Sequence, residues 1–375
     1  MSDNQILRVL VVDDTVVYRK IVSDVLAELP NVEVVGTAHN GKAALLKVNT
    51  LKPDLLTLDI EMPEVNGLEV LAELQKTAPH IGAVMLSTLT SEGGVMTMKA
   101  LELGAFDFIP KPQSGTMAAN KQAVQKALEP ILAAFSRSHR RLGRLPKPRP
   151  AARTVQLNKP ARPTAPVPTF AVRTRPSSII GIGISTGGPN ALAQLLPRLP
   201  ADINVPVVIV QHMPPMFTKS LAKSLDQKCS LDVHEAVDGE PLKPNTVYIA
   251  PGGKQMKIVA GADGKQRVVK ITNDPPENSC KPSVDYLFRS IAEMYVGRAT
   301  GVIMTGMGSD GSQGLHQMKR NGAFVIAQNE ASCVVFGMPK EPIEAGIVDV
   351  VAPLNSIASA VLSSISYRGS GRASK

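Results

Sequence analysis

Residues 178–190 constrain the fold most strongly, because a short apolar run there stops at a serine that two glycines closely follow. The apolar residues are mostly isoleucine, which is typical of a buried β-strand. A serine on a tight strand-to-helix turn projects its hydroxyl from the end of a sheet, and the amides that open the next helix favour a developing negative charge. Residues 183–187 also fit the G-x-S-x-G pattern of nucleophile elbows. Small residues at such a turn equally suit close helix–sheet packing, so Ser185 is a candidate nucleophile that needs partners.

Two further strand ends supply those partners. The apolar run 205–210 leads into His212, and the apolar run 299–304 leads into a glycine-rich loop that contains Asp310. The carboxyl ends of parallel strands share one edge of a sheet, which is where α/β proteins place their sites. A serine, a histidine and an aspartate at one edge provide a nucleophile, a general base and a carboxylate that orients the base. The sequence therefore predicts a catalytic triad of Ser185, His212 and Asp310, with a base that titrates near neutrality.

Each triad candidate also has a purely structural interpretation. His212 could cap a helix or pack in the core, and Asp310 could simply belong to the turn between Ser309 and Gly311. The order Ser, His, Asp along the chain also differs from the order in α/β-hydrolases. The coincidence of all three residues at strand ends favours catalysis over three separate structural roles.

The net charge of +9 comes mainly from one segment. Residues 137–177 contain eleven lysine or arginine residues, eight prolines and no acidic residue. Residues 1–136 carry a net charge of −5 (11 basic, 16 acidic), and residues 178–375 carry +3 (19 basic, 16 acidic). A basic, proline-rich segment with few aromatic residues cannot bury a core, and it lacks the interleaved aromatics of a nucleic-acid stacking platform. The sequence thus predicts a flexible linker at 137–177, a disordered tail at 364–375, and two domains at 1–136 and 178–363.

Composition argues against a membrane-spanning or disulfide-bonded protein. The chain enters a strand near Ile6 without a recognisable signal peptide, and it has no apolar run of membrane-spanning length. The three cysteines, Cys229, Cys280 and Cys333, are far apart and lack C-x-x-C spacing, which predicts neither a disulfide nor a metal site. Together these features predict a cytoplasmic protein with no membrane insertion.

The first 136 residues alternate strand and helix patterns, as expected for a doubly wound parallel sheet. Polar residues directly follow the apolar strands at Asp13 and Asp14, at Asp59, at Ser87 and at Lys111. Three carboxylates at one edge repel each other unless a cation lies between them, and carboxylate oxygens suit Mg²⁺. A carboxylate can also attack phosphorus to form an aspartyl phosphate, whose oxygens a lysine and a hydroxyl would stabilise. The sequence therefore predicts an α/β fold of two doubly wound parallel-sheet domains, the first with a Mg²⁺-dependent phosphorylation site.

The first domain resembles the receiver domain of response regulators. The similarity lies in the aspartate pair, residues 59–67, Ser87 and the Lys111–Pro112 step. The resemblance implies a flavodoxin-like fold in which Asp59 accepts a phosphoryl group from a histidine kinase. It also implies a metal site and a set of switch residues around Asp59: Asp13, Asp14, Asp59 and the Glu61 carbonyl for Mg²⁺, and Ser87, Phe108 and Lys111 for the switch. Phe108 replaces the more frequent tyrosine and lacks its hydroxyl, and the Lys111–Pro112 bond is expected to be cis.

The second domain resembles the family of bacterial chemotaxis protein-glutamate methylesterases, in which a receiver precedes the esterase. The similarity lies in five stretches, which are residues 183–189, 210–214, 248–253, 281–288 and 305–311. It implies a Rossmann-like esterase domain that removes methyl esters from glutamates of chemoreceptors and deamidates glutamines there, as part of chemotactic adaptation. The Met307 amide would stabilise the oxyanion, Thr186 would position Ser185, and the esterase site would need no cofactor. Phosphorylation by the chemotaxis histidine kinase would activate the enzyme.

Two other functions fit the sequence less well. Gly181 and Gly183 could begin a dinucleotide-binding loop, but Thr186 stands where that motif needs its third glycine. The next strand also ends at Gln211 and His212 rather than at the acidic residue that would bind a ribose. A DNA-binding regulator would need a helix-turn-helix pattern or a basic recognition helix, and the nearly neutral second domain offers neither. No nucleic-acid partner is expected.

Overall fold

The computed structural model describes residues 6–112, 115–143 and 175–365, so most of the predicted linker and tail lies outside the described residues. The described residues form two parallel β-sheets, one from each half of the chain, and one antiparallel hairpin. The fold class predicted from the sequence is thereby confirmed. None of the described helices is long and apolar enough to cross a bilayer.

The first sheet has five parallel strands that are covered by helices on both faces. The strands are β1 (Leu7–Val12), β2 (Val32–Ala38), β3 (Leu55–Asp59), β4 (Gly82–Ser87) and β5 (Asp107–Pro110), in the spatial order β2-β1-β3-β4-β5. The helices are α1 (Val16–Glu28), α2 (Gly41–Leu51), α3 (Gly67–Thr77), α4 (Ser91–Glu102) and α5 (Met117–Gly143). Alternate residues of β1 face opposite layers, with Val9 in the core beside α1 and α5 and Leu10 in the core beside α2 and α3. Burial on both faces explains why these strands are almost continuously apolar.

The structure differs from the sequence-based expectations at the ends of the first domain. Helix α5 packs against the sheet as far as Phe135 and continues past residue 136 to Gly143. In this continuation the His139 ring stacks on the Phe135 ring at 5.4 Å. The cis peptide bond among the described residues is Lys281–Pro282, and the prediction of a cis Lys111–Pro112 bond is wrong. In the conformation it adopts, the Pro112 carbonyl accepts a hydrogen bond from the Tyr18 hydroxyl.

The second sheet has seven parallel strands. They are β6 (Ile179–Ile184), β7 (Val207–Gln211), β8 (Asp232–Glu235), β9 (Thr246–Ile249), β12 (Ala299–Ile303), β13 (Phe324–Gln328) and β14 (Val350–Ala352), in the order β14-β13-β12-β6-β7-β9-β8. The helices are α6 (Gly188–Leu195), α7 (Phe217–Asp226), α8 (Val284–Met294), α9 (Ser312–Arg320), α10 (Lys340–Glu344) and α11 (Leu354–Ser364), and the hairpin pairs β10 (Gln255–Ala260) with β11 (Arg267–Thr272). Ser177 and Ser364 join this domain through a backbone hydrogen bond of 3.0 Å, so it extends slightly beyond 178–363 at both ends.

Strand β6 lies between β7 and β12, where the strand order reverses. Such a reversal opens a crevice at the carboxyl ends of the strands. Glycines in β6 allow helix α8 to lie directly on the strand, since a Cβ on Gly183 would come within 2.3 Å of Val284 Cγ1. The close-packing interpretation of the glycines is thus correct for Gly183, and it coexists with a site at the strand end.

The two domains touch through α4 of the first and α6 and α7 of the second. The contact has an apolar centre, where the Phe108 and Phe217 rings lie 4.6 Å apart. At its edge, Glu102 accepts hydrogen bonds from Ser224 at 2.7 Å and Lys228 at 2.5 Å. Phe108 is a predicted switch residue, so the predicted phosphorylation site is physically linked to the second domain.

Candidate functional site

Ser185 lies on the sharp turn that the sequence predicts. It follows β6 directly, and its carbonyl accepts a hydrogen bond of 2.7 Å from Gly188 at the start of α6. Gly187 adopts φ +74°, a left-handed conformation that a side chain would strain. The Ser185 amide donates to Thr305 beyond β12, and the His212 amide donates to Ile184, so the ends of β6, β7 and β12 lie side by side.

The carboxylate of Asp310 is bound by five donors. One oxygen accepts from His212 Nε2 at 2.8 Å and from the Val284 amide at 2.7 Å. The other accepts from Asn278 Nδ2, Ser283 Oγ and the Asp285 amide. Burial disfavours the charge, but these hydrogen bonds outweigh burial and lower the pKa of Asp310 to about 2. Asp310 is therefore a fixed anion at the start of α8, where the helix amides also favour negative charge.

His212 presents only one ring nitrogen to the site. Asp310 holds Nε2, so Nδ1 is the nitrogen free to accept a proton. Burial disfavours the imidazolium, but hydrogen bonds to Asp310 and Cys280 outweigh it and raise the pKa of His212 to about 9. That pKa lies above the near-neutral value expected from the sequence, because the paired carboxylate stabilises the charged ring.

The structure brings the three triad candidates to one sheet edge but does not join Ser185 to His212. Among the described residues, the Ser185 hydroxyl donates no hydrogen bond, and His212 Nδ1 lies 3.7 Å from the Cys280 sulfur instead. Catalytic hydrogen bonds often form only once substrate is bound. Of the two contacts that the predicted triad requires, the one between Asp310 and His212 is present and the one between His212 and Ser185 is not.

The predicted oxyanion donor lies beside the serine. A Cβ on Gly306 would come within 2.8 Å of Ser185 Cβ, so the loop that carries Met307 runs against the candidate nucleophile. Among the described residues, the Met307 amide donates no hydrogen bond and is free to bind an oxyanion. Thr186 is held through its carbonyl, which accepts from Thr305 Oγ1 at 3.0 Å, and its side chain stays a predicted support.

A second site lies at the carboxyl edge of the first sheet. Lys111 Nζ is 2.7 Å from both Asp13 and Asp59, and the three carboxylates of Asp13, Asp14 and Asp59 each place an oxygen within 4.8 Å of the others. Burial raises the pKa of Asp59 to about 6, with Lys111 opposing and Asp13 adding to the rise. The Glu61 amide approaches Asp59 at 3.4 Å. Clustered carboxylate oxygens are the donor set that Mg²⁺ prefers, so these residues fit the metal that the receiver resemblance implies.

Of the three predicted switch residues, Lys111 contacts Asp59, whereas Ser87 and Phe108 contact other elements. The Ser87 hydroxyl accepts a hydrogen bond of 2.7 Å from Thr97 and approaches the Gly93 carbonyl, so it is held by α4. Phe108 is directed to the domain contact, where it packs on Phe217. Both side chains therefore connect the edge that carries Asp59 with the elements that touch the second domain.

Comparison with known proteins identifies both halves of the chain. Residues 180–361 match the CheB methylesterase family, and residues 9–121 match the response regulator receiver domain. The protein-glutamate methylesterase/protein-glutamine glutaminase of Desulfotalea psychrophila is 55% identical over 359 residues, which cover 96% of this chain and 98% of that protein. The chain belongs to the protein-glutamate methylesterase/protein-glutamine glutaminase family.

A second relative carries the same name, and two solved structures are similar to parts of the chain. The Bacillus subtilis protein of that name is 42% identical over 366 residues, or 96% of this chain and 98% of that protein. The crystal structure of the Thermotoga maritima CheB methylesterase catalytic domain is 43% identical and covers 50% of this chain and 97% of that chain, with a TM-score of 0.48. The T. maritima CheB response regulator domain is 42% identical and covers 35% of this chain and 98% of that chain, with a TM-score of 0.32. As a member of this family, the chain is a hydrolase that combines a receiver with a methylesterase domain.

Three residues of the methylesterase site were not assigned a role from the sequence. Asn278 and Ser283 donate to Asp310, and Cys280 lies at His212 Nδ1. They belong to the loop between β11 and α8, whose path no local pattern predicts. Only Ser283 lies within residues 281–288, which resemble the methylesterase family, and Asn278 and Cys280 precede that stretch.

The raised pKa of His212 predicts how methylesterase activity depends on pH. Below about 9 the ring is mostly protonated and cannot act as a base, so activity should rise with pH and reach half its maximum at about 9. Cys280→Ala removes one contact that raises this pKa and should move the midpoint to lower pH, whereas Cys333→Ala should not. The measurement is initial ester hydrolysis against pH. A midpoint that is unchanged in Cys280→Ala would contradict this electrostatic assignment.

Proposed function

We propose that the chain hydrolyses methyl esters of glutamate residues in chemoreceptor cytoplasmic domains, and deamidates glutamines there, through Ser185, His212 and Asp310. The observation that carries this assignment is the partly buried 2.8 Å contact between His212 and Asp310, beside the strand end that bears Ser185. Membership in the methylesterase family supports the substrate class. A chemotaxis histidine kinase is the proposed phosphodonor, and the cytoplasm is the proposed location.

The reaction begins when Ser185 Oγ attacks the γ-carbonyl carbon of the ester and its proton moves to His212 Nδ1. The carbonyl oxygen becomes an oxyanion that accepts a hydrogen bond from the Met307 amide. The tetrahedral intermediate then collapses, the carbon–oxygen bond to the methoxy group breaks, and the Nδ1 proton leaves with it as methanol. Asp310 stabilises the imidazolium throughout without taking its proton.

The second half of the reaction restores the serine. A water molecule attacks the acyl carbon and gives its proton to His212 Nδ1, and the bond to Ser185 Oγ then breaks as the serine regains a proton. The products are a free glutamate side chain and the original enzyme. With a glutamine substrate, ammonia replaces methanol as the leaving group and the remaining steps are the same.

The first domain is proposed to control this chemistry through phosphorylation of Asp59. When bound, Mg²⁺ would neutralise phosphoryl oxygens, and Asp13, Asp14, Asp59 and the Glu61 carbonyl are its proposed ligands. Lys111, already 2.7 Å from Asp59, is placed to pair with a phosphoryl oxygen. The Ser87 hydroxyl would turn to that group and leave Thr97, which loosens the hold of β4 on α4.

Inhibition is proposed to come from the packing of α4 against α6 and α7. Helix α6 follows Ser185, and α7 follows the loop that begins at His212, so the receiver sits on the two helices beside the proposed active site. A bulky receptor helix would then be kept from the sheet edge in the unphosphorylated state. Phosphorylation would move Ser87 and Phe108, weaken the contact with Phe217, and shift the population toward an open arrangement.

The triad assignment predicts a graded loss of turnover. We expect Ser185→Ala and His212→Gln to lower kcat on methylated receptor by on the order of 10⁶-fold, and Asp310→Ala by on the order of 10⁴-fold. Ser363→Ala is the matched control, since that serine is exposed on α11, and it should leave turnover unchanged. The measurement is methanol release under saturating substrate. Near-normal turnover by a folded Ser185→Ala protein would rule out acyl-enzyme formation at this residue.

Because α4 packs on α7, we expect that a larger side chain placed between these helices activates the enzyme without phosphorylation. A Cβ on Gly94 would come within 2.5 Å of Ser220 Oγ across the domain contact, so Gly94→Leu should force α4 away. Overpacking of this kind costs about 1–3 kcal/mol, which corresponds to a shift of roughly fivefold or more toward the open state.

The assay compares methanol release by unphosphorylated and phosphorylated full-length chains, with acetyl phosphate and Mg²⁺ as the phosphorylating mixture. Gly94→Leu should be active without phosphorylation, and Val95→Leu, at the adjacent exposed position, should behave like the parent. Asp59→Asn should remain inactive in the parent background and become active when combined with Gly94→Leu. A Gly94→Leu chain no faster than the unphosphorylated parent would contradict inhibition by packing.

A further inference from the structure

Cys280 lies next to the ring nitrogen of His212 that accepts a proton in the proposed mechanism. Its sulfur lies 3.7 Å from His212 Nδ1 and 3.4 Å from the Asn278 carbonyl, and the side chain is only partly buried. The reaction described above does not use this thiol. A soft sulfur and an imidazole nitrogen thus face each other at the edge of the proposed active site.

The separation of these two atoms fits a shared metal ion. Zn²⁺ binds histidine nitrogen at about 2.0–2.1 Å and cysteine sulfur at about 2.3 Å, and a tetrahedral angle between those bonds separates nitrogen and sulfur by about 3.6 Å. The observed distance is 3.7 Å. The distance between the two atoms thus matches the separation that a zinc ion bound to both would require.

Asp310 contacts the His212 ring at its other nitrogen, Nε2. One carboxylate oxygen of Asp310 lies within 4.8 Å of both the sulfur and the ring, which makes the three residues a candidate metal cluster. Its oxygens, however, already accept from Asn278, Ser283 and the first amides of α8. Asp310 therefore stays on Nε2, where a carboxylate commonly orients a metal-bound imidazole.

We propose that His212 Nδ1 and Cys280 Sγ together bind a divalent cation that prefers sulfur ligands, such as zinc. The bound cation inhibits the esterase. Water molecules fill the remaining coordination positions, and the Cys280 thiol releases its proton on binding. Inhibition follows because the metal occupies the nitrogen that must accept the Ser185 proton, so this part rests on the proposed role of His212. Mg²⁺ does not compete, because it prefers oxygen ligands, and the carboxylates near Lys111 supply those.

The first test is inhibition of the full-length, phosphorylated chain by chelator-buffered free zinc in excess Mg²⁺. Rates are expressed relative to the zinc-free rate of each variant. We expect the parent and Cys333→Ser to be inhibited reversibly, and Cys280→Ser to need at least about a hundredfold more zinc, since even a supporting residue changes metal affinity by about 10–100-fold. Equal inhibition of Cys280→Ser and the parent would overturn the proposal, because the zinc would then bind elsewhere.

The second test detects the metal without any activity. Co²⁺ in place of zinc gives a thiolate-to-metal charge-transfer band when sulfur is a ligand, and carboxylate sites give none. We expect the band in the parent and in Cys333→Ser, its loss in Cys280→Ser, and its weakening in His212→Gln. Absence of the band in the parent would overturn the metal site. If the band depends on Cys280 but the metal does not lower activity, the metal site is supported and the proposed inhibition is overturned. The same result would contradict the role of Nδ1 as the catalytic base.

Discussion

The hydrogen bonds to Asp310 organise the second domain around its site. Five donors from three chain segments meet on one carboxylate, and they fix its charge and its position at the start of α8. This anion in turn fixes His212, because a charged acceptor at Nε2 leaves Nδ1 as the nitrogen that faces the site. A buried carboxylate that lost any of these partners would be costly, since desolvation would no longer be offset. The orientation of the base is therefore a property of the whole α8 region and not of His212 alone.

The proposed control of the enzyme depends on the chain segment that follows His212. Helix α7 begins at Phe217, shortly after His212, and Phe217 is also the residue on which Phe108 of the receiver packs. One short segment thus connects His212, the proposed catalytic base, to the domain contact. Because Phe108 has no hydroxyl, its ring lies in an apolar contact, and Ser87 is the proposed polar residue of the switch. An apolar contact between the domains and a separate polar residue near Asp59 are consistent with the proposal that domain packing controls the esterase.

Much of the site could be predicted from the sequence, because parallel strands that end in polar residues deliver those residues to one edge. Ser185 and His212 directly follow apolar strands, and Asp310 lies in the loop that follows β12. In the receiver, Asp13 and Lys111 directly follow strands, and Asp59 and Ser87 are the last residues of theirs. The strand order that sets β6 between β7 and β12 is a long-range property that local patterns do not encode. Helix α5 ends at Gly143, within the segment 137–177 that is predicted as a linker, because the basic composition of that segment does not reveal the end of the helix.

Residues on the loop before α8 could not be predicted for a related reason. Asn278 and Cys280 reach the site only because the β10–β11 hairpin carries the chain back across the sheet edge. The prediction that the cysteines form no metal site was based on their spacing along the chain, and spacing does not reveal that Cys280 meets His212 in space. The pKa of His212 is raised by contacts with Asp310 and Cys280, and these contacts exist only in the folded chain, so the sequence does not reveal the raised pKa.

The most direct measurement is covalent trapping of the nucleophile with a serine-directed phosphonate, followed by peptide mapping by mass spectrometry. We expect a single adduct at Ser185 that forms faster after phosphorylation of Asp59 and is lost in His212→Gln. Labelling of the folded, phosphorylated chain at another residue, such as Cys280, with Ser185 unmodified would contradict the triad on which the mechanism and its control are built.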